Sequence, residues 1–308
     1  MERIAESLSG ILLPITTPFT SSEEIDTKGL KKNIRTWNDT GIVGYVVLGS
    51  TGERVNLDER ECQHVIATAR NEVSADLAFI VGAGQESRRG TVREIQHAAA
   101  AGADAVLVIT PHFYRPAITQ QALISHYRAV ADEASIPVLL YSMPDLTGVK
   151  IEPQTAAELS LHPNIVGIKD SSADVPKLEE TIRLTGDGFA VLTGNGTVLY
   201  DALIAGVRGG ILAVGCVAWN CCIEILRLVV AGKHEQAIGL QEKLTPLALA
   251  VTKRYGIGGL KAAMDMLNLA GGATRLPLEP ASALARSEIA GLLENVCAAP
   301  STATVAVE

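Results

Sequence analysis

The 308-residue chain reads as an α/β protein, a (β/α)8 TIM barrel with a small C-terminal helical extension. Three observations predict this. Short apolar runs alternate with longer helical stretches, the pattern of repeated βα units around a parallel sheet. Eight such runs can be counted, the number that closes a barrel. An open doubly wound sheet would need a glycine-rich phosphate turn after its first strand, and the chain has Thr17-Pro18-Phe19 there.

The strands are expected at residues 10–16, 43–48, 78–81, 105–109, 137–141, 165–168, 190–193 and 210–214. Helices are expected between them at 58–72, 88–101, 119–133, 173–184 and 198–205. Several open with acidic, Ser or Thr residues and close before Gly, as helix polarity favours. The βα units are used up near residue 230, so the barrel is assigned to residues 1–232. The segment 233–297 reads as helices only, at 234–251, 258–269 and 282–296. The small, polar residues 298–308 form an expected loose tail.

With 47% apolar and 19% charged residues the chain can bury a large core, built from Ala, Val, Ile and Leu since aromatics make up only 4%. The net charge of −8 and the lack of a basic stripe argue against a nucleic-acid partner. Residues 1–10 carry acidic groups and no apolar h-region, so no secretory signal is expected. No stretch reaches the roughly 18 apolar residues of a membrane span. The cysteines, Cys62, Cys216, Cys221, Cys222 and Cys297, form no C-x-x-C pair, and no His is spaced to complete a zinc site. Reduced core thiols in a cytoplasmic protein are expected.

Chemistry is sought at the strand C-termini, where barrel enzymes place their sites. Lys169 closes the sixth run, Ile165-Val166-Gly167-Ile168-Lys169, and small polar residues come next. An amine set against apolar walls loses its charge more readily, because desolvation disfavours the ammonium form, and a neutral amine attacks ketones. A solvated lysine just past a strand fits the same residues. After the second strand, Gly49-Ser50-Thr51-Gly52-Glu53 offers two glycines for a tight turn, with hydroxyl and N–H donors that suit a carboxylate. An ordinary hydroxyl-rich turn fits it too. After the fifth strand, Tyr141 can relay protons, held by a hydroxyl such as that of Thr51, or can simply pack. After the seventh, Gly194-Asn195-Gly196-Thr197 leaves room for substrate.

Taken together, Gly49-Ser-Thr-Gly-Glu53, Tyr141-x-x-Pro-x-x-Thr-Gly148 and Gly167-Ile-Lys-Asp170 resemble the dihydrodipicolinate synthase and N-acetylneuraminate lyase family. The resemblance spans about residues 10–295 and includes Thr110-Pro111 and Arg275-Leu-Pro-Leu278. It implies an imine between pyruvate and Lys169, followed by making or breaking a carbon–carbon bond at the pyruvate methyl. It makes Tyr141 the proton shuttle, has Ser50 and Thr51 bind the pyruvate carboxylate with Thr51 orienting Tyr141, and has Gly194 and Ile211 line the pocket. It implies neither metal nor organic cofactor, and it implies a homotetramer.

The departures discriminate among branches. Dihydrodipicolinate synthases place an Arg before the Thr-Gly of the Tyr motif, where its fork grips a second carboxylate; this chain has Leu146. Neuraminate lyases carry acidic residues where this chain has Asn195-Gly196-Thr197. The segments Tyr141-Ser-Met-Pro144, Arg254-Tyr-Gly-Ile-Gly-Gly-Leu-Lys261 and Ala270-Gly-Gly272 resemble 4-hydroxy-2-oxoglutarate aldolases most, a branch in which Ser171 lies near the distal end of the substrate. Phe113 stands where the family has a Tyr that reaches into a neighbouring subunit, so Tyr114 or His112 substitutes or the relay is shorter. The expected activity is cleavage of a 4-hydroxy-2-oxo acid to pyruvate and an aldehyde. The alternatives are a 2-keto-3-deoxy sugar acid aldolase or dehydratase, a dihydrodipicolinate synthase, and a non-catalytic keto-acid-binding regulator.

Overall fold

Eight parallel strands, Ile11–Pro14 (β1), Gly44–Val47 (β2), Ala78–Ala83 (β3), Ala105–Ile109 (β4), Val138–Ser142 (β5), Ile165–Asp170 (β6), Ala190–Thr193 (β7) and Gly209–Ile211 (β8), pair in chain order in a computed structural model. The sheet closes on itself where β1 meets β8, with Ile11 opposite Gly210 and Leu12 opposite Ile211. The structure describes residues 8–297. The expected tail, 298–308, and most of the N-terminal stretch 1–10 lie outside the described residues.

Strand alternation sorts the apolar side chains into two layers. Leu12, Val46, Ile80, Leu107, Leu139, Leu192 and Ile211 point inward and fill the barrel. Their neighbours in sequence, such as Leu13, Tyr45, Val81, Val106, Leu140 and Val191, point outward against the helices. Both faces of each strand are thus buried, which is why these segments read as unbroken apolar runs.

The five expected inter-strand helices are present as Glu59–Arg70, Arg88–Ala100, Gln120–Glu133, Val175–Leu184 and Leu199–Ile204. The first carries a full capping box, in which Asp58 accepts the Glu61 N–H and the Glu61 carboxylate accepts the Asp58 N–H. The helices Thr27–Trp37, Pro153–Ser160 and Gly215–Val230 and the single turn Pro144–Thr147 are additional to those expected. After β8 the chain is helical: Gly215–Val230, His234–Leu249, a π turn Ala250–Arg254, Gly256–Met266 and Ala283–Cys297. β8 is shorter than expected, because Leu212 onward already leads into the Gly215–Val230 helix. Cys216 and Cys222 are buried thiols, and burial raises their ionisation well above the ordinary thiol value. No helix among the described residues is long and apolar enough to cross a membrane.

Candidate active site

At the C-terminal rim of the barrel, Tyr141 of β5 lies opposite Lys169 of β6, and Lys169 opposite Leu192 of β7. Tyr141 and Leu192 belong to the inward layer, and Lys169 follows the outward-facing Ile168, so its side chain also turns inward. The amine stands 4.4 Å from the centroid of the Tyr141 ring, and Lys169 is only 5% exposed. The other buried lysine among the described residues, Lys261, is paired with Glu53 at 2.5 Å. Lys177, on the Val175–Leu184 helix, is paired with Asp170 at 2.9 Å. Lys169 has no carboxylate partner among the described residues.

The Gly49–Gly52 turn arrives at the same rim from β2. Ser50–Gly52 forms one turn of 3-10 helix, and the N–H groups of its first residues have no partner within the turn. Ser50 Oγ lies 3.3 Å from the Tyr141 hydroxyl. The phenol's partner is therefore Ser50, not the Thr51 that the sequence leads one to expect. Thr51 is buried beside Ser50. The turn is entered through a left-handed backbone at Leu48, with φ of 58°. The turn is pinned by Thr17 Oγ1, which donates to the Gly52 carbonyl at 2.8 Å.

From β7, Gly194 makes room for its neighbours. A Cβ there would fall 1.9 Å from Ser171 Oγ and 2.7 Å from Lys169 Cε. Ser171 is buried and its hydroxyl has no hydrogen-bond partner among the described residues. Ile211 is fully buried in the inward layer. Leu146, on the Pro144–Thr147 turn, is 63% exposed at the mouth. Lys169, Tyr141, Ser50, Ser171 and Gly194 are thus linked by direct contacts, whereas Leu146 stands at the outer edge. Among the described residues no group of three or more His, Cys, Asp and Glu side chains is placed to hold a metal ion.

Two features escape a reading of the sequence. Arg115 packs against Gly148, its Nη1 2.9 Å from where a Cβ would sit, which brings a guanidinium to the loop that carries Leu146. Glu53, which the sequence offers only as the end of the glycine turn, is a fully buried carboxylate. Phe113 is 73% exposed and meets Tyr114 edge-on at 5.1 Å. Its loop is held by Glu86, which accepts the N–H groups of His112 and Phe113 at 3.0 and 2.9 Å.

Residues 7–296 match the Dihydrodipicolinate synthetase family. A 4-hydroxy-tetrahydrodipicolinate synthase from Methanothrix thermoacetophila is 35% identical over 274 residues, covering 89% of this chain and 92% of that protein. A protein of the same name from Stenotrophomonas maltophilia is 34% identical and covers 90% and 93%. Among solved structures, dihydrodipicolinate synthase from Acinetobacter baumannii complexed with pyruvate superposes with a TM-score of 0.88 at 29% identity, over 94% of this chain and 99% of that one. The enzyme from Thermotoga maritima gives 0.89 at 30% identity with the same coverage, 94% and 99%.

Proposed function

This chain belongs to the dihydrodipicolinate synthetase family and is a lyase of the class I pyruvate-aldolase type; from that premise we propose that Lys169 is its imine former. The observation that carries the reading is that, among the described residues, Lys169 is a buried amine without a carboxylate partner, set against the Tyr141 ring, whereas the other buried lysine, Lys261, is paired with Glu53. In this scheme the neutral amine adds to the C2 carbonyl of a 2-oxo acid. The resulting carbinolamine loses water to give the imine. The N–H groups and hydroxyls of Ser50 and Thr51 receive the C1 carboxylate. Tyr141, hydrogen-bonded to Ser50, moves protons to and from the carbinolamine oxygen and C3.

For a 4-hydroxy-2-oxo acid, loss of the C4 hydroxyl proton and scission of C3–C4 release an aldehyde and leave an enamine on Lys169. Protonation at C3 and hydrolysis then free pyruvate and the amine. We propose 4-hydroxy-2-oxoglutarate or a close analogue as substrate. Leu146 offers no charge to the second substrate of a synthase, whereas the unpartnered Ser171 hydroxyl and the Arg115 guanidinium are polar groups available to the distal end of a five-carbon diacid. The names of the relatives favour a second reading, condensation of pyruvate with aspartate semialdehyde, and on the comparisons alone that reading has the better support. We also propose a homotetramer built from dimers, supported by the exposed aromatic pair Phe113 and Tyr114.

Borohydride reduction in the presence of pyruvate tests the imine. The expected product is a chain heavier by pyruvate less one oxygen atom, with the label on Lys169 and none in Lys169→Ala. Label on Lys150 or Lys177, or no label, refutes the assignment. Side-by-side assays of pyruvate release from 4-hydroxy-2-oxoglutarate and of dihydrodipicolinate formation decide the substrate. A missing bidentate charged contact costs about 2–3 kcal/mol, roughly a hundredfold in rate constant. Efficient synthase turnover with Leu146 in place would therefore defeat the cleavage reading.

A further inference from the structure

Glu53 directly follows the turn that receives the substrate carboxylate, yet the imine chemistry does not use it. Its carboxylate is buried between three parts of the chain. Oε1 forms an ion pair with Lys261 Nζ at 2.5 Å. Oε2 accepts the backbone N–H of Arg275 at 3.1 Å and the Asn56 side-chain amide at 3.4 Å. Lys261, on the Gly256–Met266 helix, donates to the Ala273 carbonyl at 2.5 Å and stands 4.5 Å over the Phe19 ring. The Arg275 guanidinium lies 4.4 Å from the same ring and pairs with Glu61. Burial lowers the pKa of the Lys261 ammonium, and the Glu53 charge opposes that shift.

The backbone explains why such a costly group sits there. The turn is flanked by two side-chain-bearing residues in the left-handed region, Leu48 at φ 58° and Glu53 at φ 54°. Neither is Gly, Asn or Asp, the residues that tolerate this region, so the surroundings must impose the conformation. For Leu48 the constraint is the close approach of its carbonyl to Gly82, where a Cβ would meet it at 2.2 Å. For Glu53 it is the carboxylate's grip on Lys261 and Arg275.

We infer that Glu53 is a positioning residue: its buried pairing with Lys261 holds the Gly49–Gly52 turn in its carboxylate-receiving shape, so that residues 256–278, beyond the barrel strands, set the affinity for the 2-oxo acid. The inference rests on the reading of Ser50 and Thr51 as the carboxylate's ligands. Lys261 also cancels the negative charge that would otherwise stand directly behind an anion site. Losing Lys261 therefore harms binding twice, once through geometry and once through the unmasked Glu53 charge. Losing both charges leaves only the geometric defect.

The test compares wild type, Glu53→Gln, Lys261→Met and the double variant by the pyruvate concentration that half-saturates borohydride labelling of Lys169, by the turnover rate at saturating substrate, and by thermal melting. The expected result is half-saturation raised by about tenfold or more in Lys261→Met and in the double variant, less in Glu53→Gln, with labelling at saturating pyruvate still on Lys169. Melting temperature should recover in the double variant, which strands no buried charge, while affinity should not. Unchanged affinity in Lys261→Met overturns the inference. So does a double variant that regains affinity together with stability, because that pattern marks a purely structural pair. Should Lys261→Met alone fail to fold, the double variant and Glu53→Gln carry the same comparison. A wild-type chain that takes no label overturns the imine reading and this inference with it.

Discussion

Gly194→Ala is the sharpest probe of how closely the site is packed. The added Cβ would lie 2.7 Å from Lys169 Cε and 1.9 Å from Ser171 Oγ. Gly194 is not in the left-handed region, so Ala is tolerated by its backbone. The backbone cannot easily back away either, since the Gly194 N–H donates to the Asp170 carbonyl at 2.6 Å. The side chains must yield instead. Ser171 can rotate at a rotamer cost of about 0.5–1.5 kcal/mol, because its hydroxyl has no partner to lose. Lys169 Cε must retreat by roughly 1 Å to reach ordinary carbon–carbon contact, and in the proposed imine role of this lysine a displacement of that size costs about a hundredfold, or roughly 2.7 kcal/mol. Overpacking of this kind also removes about 1–3 kcal/mol of stability, a loss of a few degrees in melting temperature. The assay is kcat/KM for pyruvate release, with the rate of borohydride trapping as the direct readout of the amine. Adding Ser171→Ala removes the 1.9 Å clash and leaves the one at Lys169. The double variant should therefore stay slow. A Gly194→Ala enzyme within about threefold of wild type, or full rescue by Ser171→Ala, would refute the placement of the lysine.

Gly239→Ala is the contrasting glycine, in the interior of the His234–Leu249 helix with nothing within 4 Å of the new methyl. It should raise stability by up to about 1 kcal/mol and leave kcat/KM unchanged, as read by melting and by turnover. His126 has a pKa lowered from 6.5, first by burial and against the opposing charge of Glu86. The unfolded chain therefore takes up the proton first as pH falls. Stability should be full above pH 6.5 and decline below it towards the folded-state value, and His126→Gln should flatten denaturation midpoints across roughly pH 7 to 5. Light scattering should give a tetramer mass, and a monomer would remove Phe113 from any neighbour's site. Activity should survive EDTA, because the proposed imine supplies the electron sink, and activity restored only by a divalent ion would overturn the proposed mechanism.

Most of the barrel is legible in the sequence because its strands are buried on both faces, so each appears as a short apolar run whose position hardly depends on the rest of the fold. The helix Thr27–Trp37 is not, because Leu30, Ile34 and Trp37 are its only large apolar residues, set among lysines and a glycine. Its start is marked only by Asp26, which accepts the Gly29 N–H. Lys169 and Tyr141 are legible as strand-end residues, and strand register brings strand ends together. Which hydroxyl meets the phenol is not. Ser50 and Thr51 are adjacent hydroxyl residues, and only the folded turn brings Ser50 Oγ, and not Thr51, to the phenol.

Among the described residues the two buried lysines, Lys169 and Lys261, differ in what surrounds them. Both end apolar or small-residue runs, Lys169 after Val-Gly-Ile and Lys261 after Gly-Gly-Leu, and both are almost wholly removed from water. An amine's chemistry depends on the charges within a few ångströms of it, which the flanking residues do not report. Lys261 meets Glu53, whose place in the turn is fixed from β2, and becomes half of a neutral pair. Lys169 meets the face of the Tyr141 ring, with Gly194 beside its Cε, and has no carboxylate partner among the described residues. The carboxylate that pairs with Lys261 also closes the Gly49–Gly52 turn, whose Ser50 meets the hydroxyl of the Tyr141 ring that Lys169 faces. Substitutions at Lys261 should therefore be felt at Lys169 through the turn, with no contact between the two amines.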